Sequence, residues 1–196
     1  GGELSVKGRF NPREQSYDAA IRADSFPLNS FLPADSLGIV DLTLQARGTG
    51  FDPLLPRTRT SLRAQIDRAE FGGRDFGGIE LDAELDSQRL SGRISDRDEA
   101  LRLLLSVSGT LTEREQRIGL SGSVFGFDLA ALGVSPEPIG GSFALDASAS
   151  AAGKGAYAAR IALDSIEIRN KHRTDRIRPT SVSLHTDSAA TRAEAA

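Results

Sequence analysis

Apolar residues recur at every second position along most of the chain, and this period restricts the fold more than any other feature. Val40, Leu42, Leu44 and Ala46 alternate with Asp41, Thr43, Gln45 and Arg47. Leu101, Leu103, Leu105, Val107, Gly109 and Leu111 give the longest unbroken alternation. A period of two places one set of side chains on one face of a strand and the other set on the opposite face. The parity slips near Asp67, near Gly77-Gly78, and between Leu163 and Ile166; the first slip predicts a β-bulge. Turn-forming stretches such as Asn11–Glu14, Gly72–Asp75, Ser95–Asp98 and Thr112–Glu115 separate the runs. Short turns between successive strands predict an all-β fold, an antiparallel meander of about eleven strands.

Two stretches break this rhythm in the same way. Phe26, Leu28, Phe31 and Leu32 precede a long alternating run that ends at Gly48-Thr49-Gly50. Phe127, Leu129 and Leu132 precede another, Phe143, Leu145, Ala147, Ala149 and Ala151, that ends at Gly153-Lys154-Gly155. Their spacing predicts two short helices, over 26–32 with Ser25 as N-cap and Pro33 as stop, and over 127–132. The two copies are offset by about 100 residues, which predicts a repeated β unit. We divide the chain into units of about 16–115 and 116–186, with a fraying tail at 187–196, all within one segment, 1–196. The sequence has no Met and opens Gly-Gly-Glu, so it reads as a piece of a longer protein.

Composition narrows the function. Aromatic residues are only 6%, Trp is absent, and net charge is −3 with both signs interspersed. There is no basic stripe interleaved with aromatics, which argues against nucleic acid as a partner. Cysteine is absent, so no disulfide or thiolate metal site forms. No apolar run is long enough to span a bilayer as a helix.

Aliphatic side chains of moderate size, with few aromatics to fill space between them, suit two architectures. The sheet can close as a sandwich whose apolar faces bury each other. It can instead curl into an open groove that holds an acyl chain, each buried methylene contributing about 0.8 kcal/mol. On the groove reading the lining residues are Val40, Leu42, Leu44, Leu62, Ile66, Leu81, Leu101, Leu103, Leu105, Leu120, Phe143, Leu145 and Ile161.

The residues Asp128, Leu129, Leu132 and Gly133, in the order D-L-x-x-L-G, followed by Phe143, Leu145, Asp146 and Ala147, resemble the C-terminal region of the TamB family. Ser61–Leu85 resembles the hairpins that follow this unit in that family. TamB proteins belong to the AsmA-like superfamily, related to bridge-like lipid-transfer proteins. The resemblance implies an elongated β-groove (a β-taco) in the periplasm, part of an inner-membrane-anchored envelope protein of a Gram-negative-type bacterium. It implies a conduit for phospholipid acyl chains between inner and outer membranes. It also implies, through the parent protein, an outer-membrane β-barrel partner of the TamA/BamA type. The alternative function is a scaffold for outer-membrane β-barrel assembly or translocation, offering a strand edge to a client. A third is a structural or adhesive β repeat without a ligand.

No catalytic constellation, metal site or cofactor site is read, and the chain is not expected to be an enzyme. His172 and His185 lack convergent partner ligands. The acid pairs Asp96/Asp98 and Glu113/Glu115 read as solvated turn charges. Ala152-Gly153-Lys154-Gly155 lacks the first Gly and the Ser/Thr of a phosphate loop and reads as a hairpin turn.

Overall fold

The computed structural model describes residues 2–30, 37–71, 74–153, 156–186 and 191–195. The strands are β1 (Glu3–Asn11), β2 (Ser16–Pro27), β3 (Leu37–Thr49), β4 (Arg59–Phe71), β5 (Arg74–Phe76), β6 (Ile79–Asp86), β7 (Arg89–Arg97), β8 (Leu101–Leu111), β9 (Glu115–Asp128), β10 (Gly140–Ala152), β11 (Ala156–Arg169), β12 (Thr174–Ile177), β13 (Thr180–Thr186) and β14 (Thr191–Ala195). They form one open antiparallel sheet in the order β1-β2-β3-β4-β6-β7-β8-β9-β10-β11-β13-β14, with β5 on β4 and β12 on β11. The sheet is not closed into a barrel: among the described residues β1 pairs only with β2, and β14 only with β13. We call the end at which β2 and β9 finish the upper end, and the opposite end the lower.

Strand register explains why the alternating pattern produces one apolar face. Residues directly paired across antiparallel strands share a face. Pairing runs Val6–Ile21–Leu44–Ala64–Leu81–Ile94–Leu105–Gly122–Leu145–Leu163 through ten strands. The neighbouring row on the other face is Lys7–Ala20–Gln45–Arg63–Asp82–Arg93–Ser106–Ser121–Asp146–Ala162. Shifting any strand by one residue would exchange the two rows, so the pattern fixes the register. The polar face carries cross-strand ion pairs: Arg47–Asp18 at 3.4 Å, Arg59–Asp86 at 2.7 Å and Arg63–Asp82 at 3.0 Å. All are exposed, so their contribution to stability is small, and their main effect is to keep this face wet.

The sheet is a single layer. Among the described residues only Ala23, Val40, Leu105, Val124 and Ile166 are buried apolar residues, and no side chain is fully enclosed. The accessible surface is 13362 Å², against about 8,900 Å² for a compact monomer of this mass. A sandwich that buried its apolar faces against each other would not expose half as much surface again.

Bulges occur where the parity slips. Leu42 pairs with Ile66 and Asp41 with Arg68, leaving Asp67 as the extra residue. Gly77 and Gly78 interrupt the column between β5 and β6 opposite that bulge. Ser165, with φ 52°, is the extra residue of β11, and Ile166 and Ile168 continue on the shifted parity. These interruptions produce β5 and β12 as separate short strands, and with β14 they account for fourteen strands where about eleven were expected. Thr191–Ala195, expected to fray, pairs with β13. Here backbone hydrogen bonding supplies what small side chains do not. Residues 187–190 of that tail lie outside the described residues.

Neither expected helix forms. Phe26 and Pro27 finish β2, paired with Val40 and Ile39, and only a 3-10 turn over Leu28–Ser30 follows. Ser25 is not an N-cap; it sits in a bulge with φ 49°, its N–H donated to Asp41 Oδ1. Residues 31–36, including the expected stop at Pro33, lie outside the described residues. Phe127 stays in β9 because its backbone is paired with Leu101 on one side and Gly141 on the other. Pairing with neighbours on both sides overrides the helical spacing of Phe127, Leu129 and Leu132.

The connectivity of β2–β6 recurs in β9–β13. In each set a long connection precedes a 13-residue strand, and the next strand carries a bulge facing a partner broken by two residues, Gly77-Gly78 or Arg178-Pro179.

Candidate functional site

The expected lining residues occupy one face in adjoining register rows. Leu44, Leu81, Leu105 and Leu145 lie in the row traced above. Leu62, Leu120 and Ile161 lie in the next row below, Ala46–Leu62–Ala83–Gly92–Val107–Leu120–Ala147–Ile161. Leu42 is paired with Ile66, Leu103 with Val124 and through it Phe143, Val40 with Ala69, and Leu101 with Phe127. Val40 and Leu105 are buried, while Ile161 is 53% exposed. The rest are half-buried, shielded by neighbours on the same face rather than by an opposing layer. The same face also holds Ile21, Ile94, Val107, Ile118, Leu163 and Leu184, which the lining set omitted. The alternation that identified the others also marks these.

At the upper end the β9–β10 connection bends over toward β5. Its first turn is capped at both ends. Asp128 Oδ1 accepts from the N–H groups of Ala130 (2.8 Å) and Ala131 (3.2 Å), as an N-cap does. Val134 N donates to Leu129 O and Gly133 N to Ala130 O, with Gly133 at φ 75°, the pattern of a Schellman C-cap. The D-L-x-x-L-G stretch therefore encodes one closed helical turn, with its two caps too close together for a helix. Arg74 shares the apolar face, because its β5 neighbour Phe76 pairs with Ala69. Arg74 Nη1 donates to Ala130 O at 2.5 Å and to Ala131 O at 2.7 Å. The column of β5 and β6 lies three strand spacings from β9, about 14 Å on a flat sheet. Bridging that gap draws the upper end into a curl, with Phe127 and Phe143 beneath in a tilted ring contact at 6.1 Å.

At the lower end, residues 50–58 pack against the lower tips of β1 and β2 and leave Val6, 65% exposed, uncovered. Phe51 stacks on Tyr17 at 5.5 Å and contacts Phe10 at 5.6 Å. The Tyr17 hydroxyl reaches over Gly48 to Thr60 Oγ1 at 2.7 Å. A side chain at Gly48 would collide with that phenol, which is why the row Tyr17–Gly48–Thr60 needs glycine. Gln88 Nε2 donates to Leu54 O at 2.5 Å and ties the loop to the β6–β7 turn.

Among the described residues, none covers the lower part of β9–β13 in this way. Leu184, Ile118, Val182, Ile161 and Tyr157 are 42–58% exposed here. Between them Ala149, Ala151 and Ala159 leave an apolar hollow of about 260 Å³, bounded by Ile118, Tyr157 and Leu184.

Asp96 departs from its reading as a solvated turn charge. By register it faces Leu103 on the apolar side, and it is 6% exposed. Its Oδ1 accepts the Asp98 N–H at 2.8 Å. Burial pushes its carboxyl above the usual carboxylate range, and the nearby Asp98 charge adds to that push. Glu115, by contrast, pairs with Arg117 at 2.7 Å in the open. His172 lies exposed in the β11–β12 turn and His185 exposed on β13. No group of three metal-type ligands occurs among the described residues.

The site thus offers a long apolar surface, closed over part of each end and open over β9–β13. Such a surface can hold apolar chains by contact area, and Asp96 is the buried carboxyl on this face among the described residues. Comparison with models of protein families, with curated proteins and with solved structures finds no match.

Proposed function

We propose that this chain is a section of a lipid conduit, an apolar trough along which phospholipid acyl chains pass between the inner and outer membranes of a bacterial envelope. The observation that carries the reading is the continuous apolar face without a second protein layer. A protein that needed this face only for folding would cover it; a carrier must leave it open. An acyl chain running along a row lays about four of its methylenes on each strand at 4.8 Å strand spacing. At about 0.8 kcal/mol per wholly buried methylene, and about half of that for one covered from one side, each strand crossed contributes on the order of 1.5 kcal/mol before ordering costs. The resemblance of Asp128–Gly133 and Phe143–Ala147 to the TamB family supports the same reading, and a periplasmic parent protein goes with it. The beneficiary on the outer-membrane side is then a β-barrel partner of the TamA/BamA type.

The test is a photo-crosslinking residue at Ile161, compared in the natural sequence and in Leu105→Arg. Phospholipid crosslinked in cells to the first and lost in the second supports the conduit. A purified chain that carries no phospholipid, with no lipid crosslinked at Ile161, overturns it. The one-sided pairing of β1 and β14 favours a second reading, a scaffold that offers a strand edge to a β-barrel client. Crosslinks from Ser5 or Lys7 of β1 to nascent outer-membrane proteins, unaffected by Leu105→Arg, would select that reading.

A further inference from the structure

We propose that the β11–β12 hairpin docks this chain on an anionic phospholipid bilayer. The inference goes beyond the conduit, because a bilayer contact does not require the trough to carry lipid. Residues 169–178 hold five basic side chains, Arg169, Lys171, Arg173, Arg176 and Arg178, against one acid, Asp175. The segment is therefore +4 with His172 neutral, in a chain of net −3, so the remaining residues carry −7.

The structure concentrates that charge at a tip. Gly140–Arg169 is the last pair β11 makes with β10, and the 170–173 turn projects past it. Asn170 Oδ1 accepts the N–H groups of His172 and Arg173, both at 2.9 Å, and Asn170 N donates to Arg173 O at 3.0 Å. The turn is thereby held in one conformation. Internal neutralisation is incomplete. Arg173 pairs with Asp175 at 2.7 Å, but Arg169 and Arg176 share the single carboxylate of Glu167 at 3.8 and 3.9 Å. Lys171 and Arg178 have no ion-pair partner among the described residues. The adjoining β9–β10 connection brings one exposed acid, Glu137.

An apolar element sits beside the cations. Ile177 is 49% exposed and pairs with Ile166 on the trough face, Ile168 opposite Asp175 is the next pair toward the tip, and Arg169 and Arg176 lie on the opposite face with Glu167. Lys171 and Arg173 in the turn stand at the end of the track Ile177–Ile166–Ile168, which matches a phospholipid in both parts, phosphate against the basic turn and acyl chain against the isoleucines, while Arg169 and Arg176 add charge from the other face. RNA and single-stranded DNA fit less well, because residues 166–178 contain no Phe, Tyr or Trp and offer the single ring of His172 where a strand of successive bases needs several stacking platforms.

The experiment is flotation of the purified chain with phosphatidylcholine vesicles, with and without phosphatidylglycerol, at low and high salt. Binding that requires phosphatidylglycerol and falls with salt is expected. Removing one basic residue near the surface weakens binding about fivefold, so Lys171→Gln with Arg176→Gln weakens it on the order of 25-fold. Ile177→Ser weakens it at both salt concentrations. Arg47→Gln, on the polar face away from the hairpin, leaves it unchanged, and unfolding curves of each variant establish that the sheet is intact. Equal binding to both vesicle types, or undiminished binding by the double variant, overturns the proposal. So does stronger binding to an oligonucleotide than to the anionic vesicle. Loss of vesicle binding with lipid still crosslinked at Ile161 would remove the docking role and leave the conduit standing.

Discussion

Replacing Leu105 and Leu184 with alanine removes the same atoms from the same face, yet the structure gives the two changes different costs. Three carbons at about 0.8 kcal/mol each amount to about 2.4 kcal/mol for a wholly buried leucine. Leu105 is 9% exposed, between Ile94 on one strand and Gly122 on the other. Nearly all the transfer term applies, and a partly unfilled cavity raises the total to about 2–3 kcal/mol. Leu184 is 42% exposed, beside an open hollow. Its loss leaves no enclosed cavity, and the cost falls to about 1 kcal/mol. Urea unfolding of the lipid-free protein measures both, with the slope checked so that denatured-state changes are not mistaken for stability. If Leu184→Ala costs as much as Leu105→Ala, protein covers the lower part of β9–β13 and the open-trough argument fails. With a saturating lysophospholipid the order of effects changes. Ligand stabilisation follows the logarithm of its concentration over Kd, and Leu184→Ala should reduce that increment while a change on the polar face should not.

Asp96→Asn keeps an acceptor for the Asp98 N–H and removes a buried ionisation. Because the folded-state pKa of Asp96 is raised, its charged form opposes folding above that pKa, and the penalty disappears as pH falls below the unfolded value of about 3.9. The Asn variant should be the more stable at neutral pH and lose that advantage on acidification. An unchanged difference across that window would show that Asp96 reaches water. Asp128→Ala removes the N-cap of the 129–133 turn and should cost about 1 kcal/mol, with most of it recovered by Asp128→Asn. Arg74→Ala should accelerate hydrogen exchange at Leu132, Gly133 and Val134 with little change in the β6–β8 amides; equal protection in both proteins would mean that the guanidinium does not hold the connection down.

The sequence alone determined the alternation, the faces and the slips at Asp67 and Ser165, but not the bulge at Ser25, where a helix N-cap was expected. The side-chain period of a strand is two, so each of Leu42, Leu81, Leu103 and Leu145 is assigned a face by counting. A slip at Asp67 or Ser165 has no outlet except an extra residue. The same counting assigns the lining residues to one face but not to a function. Helical spacing misled at Phe127 because pairing with Leu101 and Gly141 satisfies its backbone on both sides, a long-range term that local pattern does not contain. Only the tertiary structure decided that one layer covers nothing but itself. Closing a sandwich or leaving a trough depends on contacts between residues far apart in sequence, and an alternating strand fits either. The same holds for Asp96, whose burial comes from strands on both sides of it, and for Arg74, whose partners Ala130 and Ala131 lie 56 and 57 residues away.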